Sequence, residues 1–180
     1  MRARWCLGAV IALGVGCGIE VSASTGYIAR DMGFKHRGSC NADDYVRAVG
    51  PTCERVAGAV VVGPEMDAFA AKAAFDNDMC RSWNSGRAAP WSIGLDFGER
   101  RDIDAIFLVP RTSGPATHSV EVSSDGVTFV VALVVTGELL AAQSYAIVLQ
   151  QPASGRYLRV TTTQAEGPVA WREIVPLYCP

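Results

Sequence analysis

Apolar and polar residues alternate in short runs along most of the chain, and clusters of Gly, Pro, Asp and Ser separate the runs. Gly58 to Gly63 is a β-branched run. Ser92 to Phe97 alternates with Ile93 and Leu95 on one face, and Ile103, Ala105 and Phe107 repeat the pattern. His118 to Ser123 puts Val120 and Val122 on one side, and Ser124-Asp125-Gly126 turns the chain into Val127 to Val135. Tyr145 to Gln150 follows, Pro152 to Gly155 reads as a turn, and Tyr157 to Thr163 alternates again. Arg100-Arg101 reads as an exposed turn between strands. A period of two between turn residues predicts short, half-buried strands. A succession of such strands predicts an all-β antiparallel sandwich instead of an α/β fold. Helical patterning is confined to Asp67–Ala74 and to Asp43–Val49, with Asn41 as cap and Gly50-Pro51 as breaker.

The first residues follow another pattern. Arg2 and Arg4 precede an apolar run from Cys6 to Ile19, and Val21-Ser22-Ala23 offers small residues for cleavage. Residues 1–23 therefore read as a secretory signal peptide, too short for a stable membrane span. Gly14-Val15-Gly16-Cys17 resembles a lipobox, although Gly14 stands where an aliphatic residue is usual. Membrane attachment thus depends on acylation of Cys17. The expected location is secreted or cell envelope, periplasmic or extracellular. Removing the leader leaves about 155 residues, the size of one domain, long enough to bury a core without relying on disulfides. Residues 24–56 form a Gly-containing, Cys-bearing N-terminal extension ahead of a domain over residues 57–180.

A net charge of −2 with 19% charged residues and no Lys/Arg cluster excludes nucleic acid as an evident partner. Cys40, Cys53, Cys80 and Cys179 remain after the leader, an even number that predicts two disulfides in an exported chain. Their spacings of 13, 27 and 99, with no C-x-x-C pair, argue against zinc. The sequence has two histidines, His36 and His118, and lacks a G-x-S-x-G elbow, an H-E-x-x-H pair and a phosphate-cradling glycine loop. Asp76 and Asp78 lie two residues apart on one loop without an opposing carboxylate of the kind glycoside hydrolysis needs. The expectation is a non-catalytic chain.

Five segments then stand in a telling order: AFDNDMCRSW at 74–83, W-S-I-G-L-D-F-G at 91–98, V-E-V-S-S-D-G at 120–126, R-Y-L-R-V at 156–160 and Glu173-Ile174. In this order and spacing they resemble the discoidin, or coagulation-factor C-type, domain, whose pattern for the first segment reads roughly A-x-D-G-D-x-x-x-x-W, with glycine where this chain has Asn77. The resemblance implies an eight-stranded antiparallel jelly-roll β-sandwich of the galactose-binding-like type, with ligand loops at one end and the two chain ends meeting at the other. It implies a secreted binding module for a carbohydrate or another cell-surface ligand, acting in glycan binding or adhesion. The alternative on the same fold is an envelope-structural or protein–protein interaction domain without sugar binding.

The resemblance also directs attention to particular residues. Loops at the ligand end would supply the planar hydroxyl partners Asn84, Arg87, Arg111, His118, Gln164 and Glu166. Trp171, ahead of the last strand, would offer an exposed stacking face. Trp91 is assigned to the core and Trp83 to its boundary. Each polar residue also has a plainer reading, with His118 merely opening a strand and Arg111 a solvated turn residue. A structural calcium is implied at Asp76, Asp78 and Glu173 together with loop backbone oxygens. Arg81 stands where the family has an oxygen-bearing threonine, so a guanidinium in place of the ion is the alternative, and Asx-turns account for both aspartates as well. Arg156 falls on the apolar face of its strand and needs a carboxylate partner there. The implied meeting of the chain ends gives the pairs Cys53–Cys179 and Cys40–Cys80, with Cys40–Cys53 as the alternative.

Overall fold

The computed structural model describes residues 19–22, 27–31, 39–50, 52–56, 60–62 and 68–180. The alternating runs form strands, and two of these are much longer than their sequence punctuation suggests. β6 (Trp91–Pro110) has 20 residues and β9 (Tyr145–Ala165) has 21. They pair antiparallel along both halves, with register shifts between Asp96 and Arg101 and between Ile103 and Ala105. The pair bends at those shifts and passes from one layer of a sandwich into the other. Arg100-Arg101 and Pro152 to Gly155, expected as turns, are therefore inside continuous strands. Gly155 explains how the bend closes. A Cβ there would lie 2.8 Å from the Ser123 carbonyl oxygen, so only glycine lets β9 press against its neighbour.

Opposite halves of the long strands build the two layers. In one layer β4 (Val60–Val62), the start of β6, the end of β9, β7 (Gly114–Ser123), β8 (Val130–Leu139) and β1 (Ile19–Ser22) lie in that order. In the other, β2 (Tyr27–Asp31) pairs with the start of β9, and β10 (Pro168–Tyr178) with the end of β6. β3 (Glu54–Arg55) and β5 (Trp83–Ala88) line the far edge of β10. The all-β sandwich is as expected, and the described residues hold ten strands where eight were anticipated for the domain. Two pairs of expected strands merge into β6 and β9, and the N-terminal segments and β5 add four more. Ile19–Ser22, at the end of the stretch read as a leader, pairs with β8. Cys17, its lipobox and Ala23 lie outside the described residues, as does His36.

Alternation decides what is buried. Ile93, Val160 and Val120 are cross-strand neighbours, as are Leu95, Leu158 and Val122. All six point inward against Ile106, Leu108, Ile147, Trp171 and Ile174 of the opposite layer. The outer face of the second layer is also covered. α1 (Asp43–Val49) places Ala42 and Val46 with Met79 on Phe107, Val175 and Leu177, and Tyr45 stacks on Phe107 at 6.5 Å. The extension is thus a third layer of the domain. Its helix begins with Ala42 in the cap position, not Asn41, although Asn41 Oδ1 accepts the Asp43 N–H at 2.9 Å. Among the described residues, α2 (Ala68–Ala71) and a short 3-10 turn, Lys72–Ala74, lie between β4 and β5. The disulfides are Cys40–Cys80 and Cys53–Cys179, the pairing that the architecture implied.

Arg156 departs from expectation. Its side chain is half-exposed at the bend, where it forms a forked pair with Asp96 at 2.8 Å on both oxygens, so this guanidinium stays outside the core. The carboxylate partner is present, and the pair holds Asp96 down to about 2, chiefly through the Arg156 hydrogen bond. Trp171 departs further. It is 0% exposed and belongs to the core, because the loop anticipated before it is only a turn around Glu166-Gly167 and Trp171 already lies within β10. Trp171→Ala should therefore cost about 3–5 kcal/mol of stability as a core cavity, read as a lower urea midpoint. A midpoint equal to wild type would place the ring outside the core.

Candidate functional site

The inward rows of the first layer end at the sandwich mouth in residues that are no longer aliphatic. Trp91 on β6, Thr162 on β9 and His118 on β7 are cross-strand neighbours, continuing the faces of Ile93, Val160 and Val120. Thr162 and His118 are buried, and His118 Nδ1 lies 2.9 Å from Thr162 Oγ1. The His118 ring packs on Trp171 with centroids 4.6 Å apart. Burial lowers the His118 pKa to about 4, so the imidazole is neutral at physiological pH and has one ring nitrogen beyond its threonine partner.

A narrow cleft opens over this row between the two layers. Its walls are Pro110 and Thr112–Ala116 on one side, Ala165, Glu166, Val169 and Ala170 on the other, and Leu139 and Thr162 with His118 below. Hydrogen bonds fix the loops that form it. Arg111 N–H donates to the Ala170 carbonyl at 3.2 Å, and Ala142 N–H to the Pro110 carbonyl at 3.0 Å. Ala141 N–H donates to Ser113 Oγ, and Leu140 N–H to the Tyr145 hydroxyl, each at 2.8 Å. Gly114 has φ +132°, and the Glu166 carboxylate lies over it where a side chain would otherwise stand. Hydroxyls, a neutral imidazole and one carboxylate between apolar walls form an arrangement able to exchange hydrogen bonds with a small polyhydroxylated ligand. It is not a set of converging acids and bases.

Of the residues singled out from sequence, His118 and Glu166 line the cleft, while Arg111 and Gln164 are exposed neighbours of its walls. Asn84 and Arg87 are exposed on β5, the edge strand across β10. Asn84 Oδ1 accepts the Gly86 N–H in a local turn, and Arg87 lies over the Trp91 ring at 5.5 Å. Neither lines the cleft. The roles assigned to the tryptophans are reversed: Trp171 is core, whereas Trp91, read as core, is only half-buried beneath Arg87. Thr162, Thr112 and Ser113 were missed. For Thr162 a signal existed, because a threonine two residues after Val160 occupies a core-facing position in an alternating strand.

The acidic loop lies elsewhere, against β10 and the extension. Asp76 Oδ2 pairs with Arg81 at 2.9 Å and its Oδ1 accepts the Asp78 N–H, while Asp78 Oδ1 accepts the Cys80 N–H. Glu173 is fully buried and faces Arg55 of β3. Burial pushes its carboxyl up to about 7, against the pull of the Arg55 charge. Side-chain oxygens of Asp76, Asp78 and Glu173 do not converge. Among the described residues, three ligand atoms gather within 4.8 Å only at Cys40, Asp78 and Cys80, and both sulfurs there are in a disulfide. The Asn77 carbonyl accepts the Ala42 N–H and the Asp78 carbonyl the Arg81 N–H. The side chains alone, with Glu173 Oε2 unpartnered in the interior, do not gather the six to eight converging oxygens that a calcium ion needs.

Comparison with known proteins agrees with this architecture. The model of the F5/8 type C domain matches residues 62–175. No curated protein matches the chain. Among solved structures, the family 32 carbohydrate-binding module of Clostridium perfringens NanJ, in complex with galactose, is 18% identical with a TM-score of 0.54, over 71% of this chain and 98% of that one. A module from a family 31 glycoside hydrolase of the same organism is 18% identical with a TM-score of 0.60, over 72% and 100%. The corresponding module of AlyQ, in complex with 4,5-unsaturated mannuronic acid, is 16% identical with a TM-score of 0.54, over 71% and 97%.

The buried histidine gives this site a pH signature. His118 titrates near 4 when folded and near about 6.5 when unfolded. As pH falls below the unfolded value, the unfolded chain takes up the proton first. Stability is therefore full above that value and is lost as pH drops towards the folded pKa. Between about pH 7 and about pH 5, wild type should lose roughly 2 kcal/mol more than His118→Gln, measured by urea denaturation. Equal losses would show that the imidazole titrates normally.

Proposed function

This chain belongs to the F5/8 type C domain family, and on that footing we propose that it is an exported, non-catalytic module that binds glycans through the cleft at the sandwich mouth. The observation carrying the reading is the pair Thr162 and His118: polar groups end an otherwise aliphatic interior beneath a cleft rimmed by Thr112, Ser113 and Glu166, with Trp91 beside them in the same cross-strand row. Similar folds in complex with galactose and with an unsaturated mannuronic acid support a saccharide as the ligand class. One carboxylate and a neutral imidazole in the cleft lack the opposed acid pair of glycoside hydrolysis, which supports binding without turnover. Two disulfides suit an oxidising compartment, in line with secretion or the cell envelope. Lipid attachment at Cys17 is the route by which the chain would be held at a membrane.

A second reading rests on a specific surface. At the opposite end, Val127, Val130 and Val131 are 83%, 64% and 41% exposed beside a groove walled by Val122, Ser123, Thr128 and Ser154. Apolar side chains in that position suit a protein partner, as an adhesion or envelope-structural domain would need.

A panel of immobilised glycans separates the two. Shallow cleft binding should be weak, roughly micromolar to millimolar, or about −4 to −8 kcal/mol, and free monosaccharide should compete with it. Thr162→Val, which leaves His118 without its partner, should abolish capture while costing about 1–3 kcal/mol of stability, too little to unfold the domain. Capture unaffected by Thr162→Val but lost in Val130→Lys would move the site to the opposite end. Failure of every glycan to bind would leave the protein-partner reading in the lead.

A further inference from the structure

The acidic loop holds the most heavily connected polar cluster that the cleft does not use, and its connections run to the extension. Arg55 reaches in from β3 with Nη1 3.3 Å from Glu173 Oε1 and Nη2 2.7 Å from Asn77 Oδ1, and with Asp43 Oδ1 3.7 Å from Nη2. Asn77 is the hub. Its Oδ1 also accepts the Asp43 N–H at 3.1 Å, and its Nδ2 donates to Asn41 Oδ1 and Asp43 Oδ2, both at 2.9 Å. Its backbone is left-handed, φ 68°, a conformation that glycine adopts at no cost and asparagine tolerates. The family pattern has glycine there. Asparagine at this position gives up backbone ease and gains a side chain that joins loop, helix α1 and Arg55. Arg81 neutralises Asp76 on the exposed side.

We propose that the extension supplies the cation of this loop: the Arg55 guanidinium, held by Asn77 and facing Glu173, stands in for a metal ion and makes the domain independent of calcium. A guanidinium brings five fixed donors and a charge that is never lost, so it can serve oxygens of Glu173, Asn77 and Asp43 at once. Delivery by the chain itself removes any dependence on ion concentration. It also makes residues 39–56 an obligatory part of the fold, tied at both ends by the Cys40–Cys80 and Cys53–Cys179 bonds.

Thermal melting of the full chain with millimolar calcium and with EDTA tests this. Wild type should melt at the same temperature in both. Arg55→Ala, which strands a buried carboxylate, should lower Tm by about 5–15 °C, and Asn77→Gly should lower it too, despite relief at φ 68°. In Arg55→Ala/Arg81→Thr, calcium should recover part of the loss by mass action. Calorimetric titration of calcium into wild type should show no saturable binding, and this decides the matter if the double variant does not fold. A wild-type Tm raised by calcium, a stoichiometric isotherm, or Arg55→Ala melting like wild type would each overturn the proposal.

Discussion

The antiparallel pairing of β6 with β9 through both layers is the constraint from which the rest follows. Two strands of about twenty residues cannot stay flat, and here they turn together at the register shifts around Asp96 to Ala105. That shared bend makes one continuous ladder into a sandwich, fixes the spacing between the layers, and sets where each row of inward side chains must end. Gly155 lets the bend close on β7, and the Asp96–Arg156 fork secures its rim. At the other end the rows terminate at Trp91, Thr162 and His118, and the loops from β6 to β7 and from β9 to β10 meet above them. The cleft is a consequence of ladder length.

Two sites then meet the cost of buried polar groups in different ways. A buried group without a hydrogen bond costs about 1–3 kcal/mol. In the acidic loop that cost is reduced internally, because Arg55, Asn77 and the α1 residues satisfy one another, while buried Glu173 keeps one carboxylate oxygen, Oε2, without a partner. At the mouth His118 has Thr162 on one nitrogen, and the cleft walls present hydroxyls outward. A satisfied cluster rigidifies; a partly satisfied one at an open mouth is suited to a ligand. The same domain therefore holds a structural polar core and a recognition surface, distinguished by whether the extension covers them.

Strand alternation made the sandwich and most of its core readable from sequence, since Ile93, Leu95, Val120, Val122, Leu158 and Val160 face inward as their spacing requires. What alternation hides is continuity. Glycine, proline and paired arginines mark bends as well as turns, and so Arg100-Arg101 and Pro152 to Gly155 read as loops. Trp171 was misplaced for the same reason, through a loop that is really a turn, and Trp91 because a tryptophan opening a strand is indistinguishable from one inside it. The disulfide partners were legible because the chain ends must meet; Arg55 was not. Its role depends on contact with Glu173 across 118 residues of sequence, and no local pattern encodes that separation. Asn77 carried a signal, an asparagine in place of the family glycine, whose meaning only the folded extension supplies.

Where a saccharide sits on the domain tests the account most directly. Heteronuclear NMR of the labelled protein, titrated with galactose, N-acetylgalactosamine and a uronic acid, reads this without mutation. The account predicts that the perturbed amides fall on Thr112 to Ala116, His118 and Thr162 to Ala170, and that the binding-curve midpoint lies in the micromolar to millimolar range. Perturbations centred on Val127 to Val131, or spread evenly at every sugar concentration, would contradict it.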